Sequence, residues 1–146
     1  MNVILVKTEP DDVWLAESLS QYNTAVYYAK YGLSWKTHLF TTNWEMRENY
    51  RILYNDNRVG FLTLESEPES DELYIHDVQL EKNYQRQGIG AQVLALIEQL
   101  ARQRDMRHLR LSVFIDSPAQ ALYCGRGFVV VSQNESRVNL HKRLEK

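Results

Sequence analysis

The sequence predicts an α+β fold: one domain over residues 1–146, built on a mixed, mainly antiparallel, twisted sheet with helices on both faces. Three observations predict it. A long stretch of helical spacing stands near the start, and short strands joined by tight-turn residues follow it. Then come a strand, a strongly amphipathic helix and another strand, the order that makes a parallel pair through a right-handed crossover. The length suits one domain, and a content of 44% hydrophobic residues is enough for a single sizeable core.

Val3-Ile4-Leu5-Val6 reads as a short buried strand, ended by Thr8-Glu9-Pro10. Helical spacing follows over 11–31, with Val13, Trp14, Leu19 and Tyr22 among its apolar positions, and Gly32 breaks it. A second, shorter helix is expected over 42–49, capped by Thr42 or Asn43. Strands over 51–54 and 59–65 flank Asn55-Asp56-Asn57, a good hairpin turn because Asn and Asp tolerate the left-handed backbone. The acidic stretch 65–72, which holds Pro68, reads as an exposed loop. Residues 73–80 form a third strand. Over 88–104, Ile89, Val93, Leu96, Ile97 and Leu100 fall on one face of a long helix. Leu109, Leu111, Val113 and Ile115 alternate as a strand, a short helix spans 118–124, and two strands complete the order.

Composition excludes several classes of function. A formal charge of −2 and a pI near 6.1 argue against nucleic-acid binding, which shows as a basic domain. The single cysteine, Cys124, forms no internal disulfide and reads as a small packing residue, which points to a reducing, cytoplasmic setting. The apolar run at the start is four residues long, against about 7–15 for a secretory core and about 20 for a membrane span. A soluble protein is expected. His38, His76, His108 and His141 are far apart in sequence and lack metal-ligand spacing, so no metal is expected. Arg102, Arg104, Arg107 and Arg110 read as a solvated face.

The most informative segment is Gln85-Arg86-Gln87-Gly88-Ile89-Gly90-Ala91, which follows a strand and opens the strongest helix. The first N–H groups of a helix have no internal partner, and the helix dipole adds positive potential there. Two glycines let a bulky anion approach the backbone. The nucleoside-triphosphate loop needs a Gly-Lys-Ser/Thr ending, which is absent. The dinucleotide fingerprint needs a third glycine, where Val93 stands instead.

This segment resembles the Gln/Arg-x-x-Gly-x-Gly/Ala turn of the GNAT superfamily of acetyltransferases. A second stretch, Ser117-Pro118-Ala119-Gln120-Ala121-Leu122-Tyr123-Cys124-Gly125-Arg126-Gly127-Phe128, is similar to that family's Asn-x-x-Ala-x-x-Leu-Tyr-x-x-x-Gly-Phe segment. The run from Val138 to Leu144 resembles its closing strand. The likeness covers residues 50–146, and the first third agrees only in layout. Serine stands at 117 where the family has asparagine; with Pro118 at the first helical position, Ser117 and Gln120 keep capping-box spacing.

The resemblance implies acetyl-CoA as acyl donor and direct transfer to an amine. Gln85, Arg86, Gln87, Gly88, Ile89, Gly90 and Ala91 would hold the pyrophosphate. The main chain of Val78 and Leu80, with Ser117, would meet the pantetheine arm, and Tyr123 would protonate the departing thiolate. The base aligns with His76, which titrates near working pH; Asp77 and Glu72 are the alternatives. The acceptor is a small amine, a polyamine or a protein amino group. In this family the first two helices wall the acceptor site, so Tyr22, Tyr27, Tyr28, Tyr31, Trp35 and Trp44 serve as a cation–π wall, a core stripe or a dimer surface. A homodimer is a family expectation. The competing reading is a domain that senses acyl-CoA without turnover.

Overall fold

The structure, a computed structural model, describes residues 2–145. Its seven strands are ordered β1-β2-β3-β4-β5-β7-β6, and all the pairings described below are antiparallel except β4 with β5. The α+β prediction therefore holds. The chain divides into two compact units: residues up to Leu64 together with Asp77–Val93, and Glu65–His76 together with residues from Leu94 onward. Among the described residues no helix is long and apolar enough to cross a membrane.

In the first unit, β1 (Val3–Lys7) pairs with β2 (Glu48–Tyr54), which pairs with β3 (Asn57–Glu67). The turn between β2 and β3 holds Asn55 and Asp56 at φ +50° and +70°. Two left-handed central residues match the right-handed twist of the flanking strands, which is why Asn-Asp sits there. Ile52, Val59, Leu62 and Leu64 are fully buried.

Helix α1 (Asp12–Lys30) has no glycine or proline to interrupt it, and the chain leaves it at Gly32, where φ is +66°. Its buried residues are Asp12, Ala16, Glu17 and Ser20, whereas Trp14, Leu15, Tyr22 and Val26 are exposed. Its inner face is thus mostly polar and satisfied by specific partners. Arg51 clasps Asp12 through Nε at 2.7 Å and Nη2 at 3.1 Å, and Trp35 Nε1 donates to Glu17 at 2.9 Å. Burial alone would raise the Asp12 pKa, but the Arg51 guanidinium, the Glu9 amide and the charge of Arg58 together hold it below the usual range.

Helix α2 (Thr37–Met46) begins and ends earlier than the expected 42–49. Thr42 and Asn43 lie inside it and cap nothing. Thr41 Oγ1 instead bonds back to the carbonyls of Thr37 and His38. Asn49, expected in the helix, belongs to β2; its amide donates to the Trp44 carbonyl at 2.7 Å and its oxygen accepts from Thr63 at 2.8 Å. One asparagine thereby satisfies a C-terminal helix carbonyl, which has no partner within the helix. Rings run from Tyr28 through Trp35, Phe40 and Trp44 to Phe61 with centroids 5.4–6.2 Å apart. These contacts bind α1 and α2 to β3, so this part of the aromatic cluster packs, while Tyr22 remains 68% exposed.

In the second unit, the first half of β4 (Glu72–Leu80) pairs in parallel with β5 (His108–Phe114), from Glu72↔His108 to Ile75↔Leu111. β5 pairs with β7 (Arg137–Arg143), which pairs with the edge strand β6 (Val129–Gln133). Leu73, Ile75, Leu109, Leu111, Val138 and Leu140 form the buried face. The acidic stretch is less of a loop than expected: β3 runs on to Glu67, a single 3-10 turn covers Pro68–Ser70, and Asp71 is left-handed at φ +56°. Helix α3 (Ile89–Gln103) runs through both units, and α4 (Ala119–Cys124) lies in the second.

Candidate active site

The turn between β4 and α3 is built much as its sequence demands. A 3-10 turn over Lys82–Tyr84 leads into it. Arg86 is left-handed at φ +61° and Gly88 at φ +86°, with Gln87 between them outside that region. Such alternation turns successive N–H groups toward one concavity suited to an anion. Gln92 N donates to the Gly88 carbonyl at 3.2 Å, so the helix starts at Gly88. Helix geometry then leaves the N–H groups of Ile89, Gly90 and Ala91 without an intrahelical acceptor. The Ile89 side chain is 1% exposed and anchors the helix start in the core. Gln85, Arg86, Gln87 and Gly88 are exposed. The Gln87 amide braces the turn by donating to the Asn83 carbonyl at 2.6 Å.

The second half of β4 joins this turn through a run of amides. Gln85 Nε2 and Asn23 Nδ2 both donate to the Leu80 carbonyl, at 2.9 and 3.0 Å. Asn23 also donates to Gln79 Oε1 at 3.0 Å, Gln79 donates to Asp77 Oδ1 at 2.7 Å, and Ser20 donates to Asp77 Oδ2 at 3.1 Å. Glu81 N donates to the Val59 carbonyl of β3. Main-chain groups alternate between the two edges of a strand, so those of Val78 and Leu80 turn to the edge away from β3. Leu80 has its carbonyl taken by side-chain amides. The side chains of Val78 and Leu80 are half-buried rather than core.

The remaining candidates lie on the second unit. Tyr123, on α4, is 7% exposed, and its ring meets Phe128 edge-on at 5.4 Å. Ser117 Oγ accepts from Ala119 N at 3.2 Å, with Pro118 in helical backbone at φ −62°. The serine does cap the helix. The reciprocal half of the capping box does not form, because Ser117 N donates to the Phe114 carbonyl at 3.0 Å.

His76, on β4, meets Glu65 of β3 through Nε2 at 2.8 Å, and its ring lies 4.4 Å from that of Tyr74. Of the alternative bases, Glu72 is engaged by Arg110 Nε at 2.6 Å and Asp77 by Ser20 and Gln79. His108 and His141, 33 residues apart, stack with Nδ1 and Nε2 at 2.8 Å. Burial first, then Arg110 and His108, lower the His141 pKa. Among the described residues no group of three or more His, Cys, Asp or Glu is placed to hold a metal.

Val78, Leu80 and residues 85–91 are thus linked as one segment of the first unit, while His76, Ser117 and Tyr123 belong to the second. Sequence reasoning missed Glu65 as the partner of His76; it stands where the expected strand 59–65 gives way to the acidic stretch. It also missed Ser20 and Asn23, although Glu17, Ser20 and Asn23 recur three residues apart on one helical face.

Residues 15–128 match the Acetyltransferase (GNAT) family, so the likeness extends over α1 and α2 as well. The chain is 33% identical over 104 residues to an uncharacterised N-acetyltransferase, YycN of Bacillus subtilis, across 69% of this chain and 60% of that protein. It spans about 60% of the length of that relative. In fold it is similar to Ard1 from Thermoplasma volcanium, with a TM-score of 0.78 at 16% identity over 100% of both chains. It is also similar to the PaiA N-acetyltransferase from Thermoplasma acidophilum in complex with coenzyme A, with a TM-score of 0.74 at 15% identity over 98% of this chain and 99% of that one. The family match spans more than half of the residues, and the chain belongs to the acetyltransferase (GNAT) family.

Proposed function

We propose that the protein is a single-domain cytoplasmic enzyme that moves an acetyl group from acetyl-CoA directly to a primary amine. The acceptor is a small amine, a polyamine or a protein amino group. The observation that carries this reading is the left-handed turn at Arg86 and Gly88, which opens α3 directly after β4. Its residues fit a pyrophosphate: free helix-start N–H groups, the positive end of a 15-residue helix, and no side chain at Gly88 or Gly90 to hold the anion off. The outward main-chain groups of Val78 and Leu80 suit the pantetheine amides. The N–H of Leu80 is the group offered there, since its carbonyl is already engaged. Ser117 keeps a hydroxyl hydrogen to donate, because its cap uses only the oxygen.

Acetyl-CoA supplies an activated thioester. The chain must supply proton management. An alkyl amine with a pKa near 10 is about 99.9% protonated at pH 7, a handicap of roughly 4 kcal/mol. His76, held by Glu65, takes that proton directly or through water. Nitrogen then bonds to the acetyl carbon as the carbon–sulfur bond breaks. Tyr123 gives its proton to the departing sulfur.

The test is thiol release from acetyl-CoA across polyamines, amino acids, aminoglycosides and peptides, with wild type beside Tyr123→Phe and His76→Gln. Amine-dependent release that falls in both variants is the expected result. Tight acetyl-CoA binding with no release for any amine would instead favour an acyl-CoA sensor, a reading supported by serine in place of asparagine at 117.

A further inference from the structure

Helix α1 meets the sheet through buried Asp12 and Ser20, which bond to Arg51 of β2 and Asp77 of β4. Leu15 and Leu19 lie along its flank, the first exposed and the second half-buried. Residues three and four apart share one side of a helix, so Leu15, Ser18 and Leu19 face the same way. Between them and the start of β3 opens a groove of about 250 Å³, lined by Leu15, Ser18, Leu19, Arg58, Phe61 and Glu81, among others. All six lie in the first unit, and none is used by the transfer chemistry.

Leu15, Leu19 and Phe61 supply an apolar lining, to which Arg58 and Glu81 add one cation and one anion. The guanidinium carbon of Arg58 lies 5.4 Å from the centre of the Phe61 ring. Its charge acts on Asp12, but Arg51 already clasps that carboxylate. The Glu81 N–H donates to the Val59 carbonyl at 2.8 Å, which roots the anion opposite the neighbour of Arg58. Among the described residues, neither the Arg58 guanidinium nor the Glu81 carboxylate makes a hydrogen bond or an ion pair, with each other or with any other group.

We propose that this groove binds a free α-amino acid with an apolar side chain, such as leucine. The carboxylate meets the planar fork of Arg58, the ammonium meets Glu81, and the side chain lies against Leu15, Leu19 and Phe61. Charge complementarity selects this class. A polyamine would set its second cation against Arg58, and a dicarboxylate would set its second anion against Glu81. A plain amine or a plain acid would leave one of the two charges facing the ligand's apolar body, where it loses water and gains no partner. A zwitterion answers both charges. Both backbones are already held, Arg58 by its pairing with Leu53 and Glu81 by its bond to Val59, so binding has chiefly two charged side chains to order.

Equilibrium dialysis of the full chain against labelled leucine, without acetyl-CoA, tests this independently of any transfer. Leucine should bind. Isoamylamine, which is leucine without its carboxylate, and isocaproate, which is leucine without its amine, should each compete at least about tenfold more weakly than unlabelled leucine. Glycine, which lacks the apolar side chain, should also compete more weakly. Arg58→Gln and Glu81→Gln should each weaken leucine at least about tenfold, with unchanged far-ultraviolet dichroism. Should a variant lose its dichroism, the competition series on wild type decides. No retention of leucine at millimolar concentration would overturn the proposal, as would an analogue that competes as well as leucine. Folded variants that bind leucine as tightly as wild type would overturn it too, by placing the amino acid elsewhere on the chain.

Discussion

Gly60→Ala should be among the most damaging single-methyl changes available in this chain, although the glycine sits in ordinary strand backbone. A Cβ built on Gly60 would lie 2.0 Å from the Gln79 carbonyl oxygen and 3.0 Å from both the Gln79 carbonyl carbon and Leu80 Cδ2. Relieving the first contact requires the two backbones to separate by about 1.5 Å, since non-bonded atoms settle near 3.5 Å. Leu80 Cδ2 can move aside, but the nearest obstacle is the Gln79 carbonyl, which is backbone and cannot.

Overpacking of this kind costs about 1–3 kcal/mol or more, and a backbone obstacle puts Gly60 at the upper end. At roughly 2–4 °C per kcal/mol for a chain of this size, the melting temperature should fall by roughly 6–12 °C. Gly32→Ala is the control. Gly32 has φ +66° but nothing within 4 Å of the new Cβ, so it carries only left-handed strain of about 1–2 kcal/mol. The variants should also differ in function. Displacing Gln79 and Leu80 disturbs the strand that leads into the turn proposed to hold the pyrophosphate, so the KM for acetyl-CoA should rise in Gly60→Ala and hold in Gly32→Ala. Thermal melts followed by steady-state thiol release read both. A Gly60→Ala protein that melts no lower than Gly32→Ala would refute the steric reasoning.

The His141 pKa lies below its ordinary value, so the unfolded chain takes up the proton first as pH falls through about 6.5. The stability it contributes is complete above that pH and is lost on acidification through the folded pKa; melts between neutral and acidic pH should show a decline that His141→Gln flattens. Gln85→Ala removes one of the two amides on the Leu80 carbonyl. It should raise the KM for acetyl-CoA while costing only about 1 kcal/mol of stability in a denaturant titration. Trp35→Phe keeps the ring contacts but leaves the 9%-exposed Glu17 without its indole donor. A loss of about 1–3 kcal/mol is expected from urea unfolding, and an unchanged midpoint would count against a structural role for that bond.

Most elements were legible because local rules wrote them. Asn55 and Asp56 specify a hairpin turn through their tolerance of positive φ, and the spacing of Ile89, Val93 and Ile97 needs only helical geometry to show which side is buried. The turn that opens α3 was legible for the same reason: a glycine at φ +86° and the start of a helix are local facts. The misjudged elements are those where a distant partner overrode local preference. The end of α2 is settled by Asn49, which answers to Trp44 and to Thr63 on another strand. The end of β3 is misjudged too: acidic residues and Pro68 favour a loop from Glu65 on, yet the strand runs to Glu67 and Glu65 meets His76.

The sequence by itself determined the order of the elements, the position of the glycine-containing turn before α3 and the family likeness, because each rests on residues close together along the chain. Only the tertiary structure decided which polar groups meet. It brought His108 to His141, turned the polar side of α1 inward onto Asp77 and Gln79, and used Asn23 and Gln85 to hold one carbonyl of β4. A polar side chain names no partner until the strands are in register. Burying it without one costs more than a hydrogen bond gains, so the fold selects those pairings after the helices and strands are already specified.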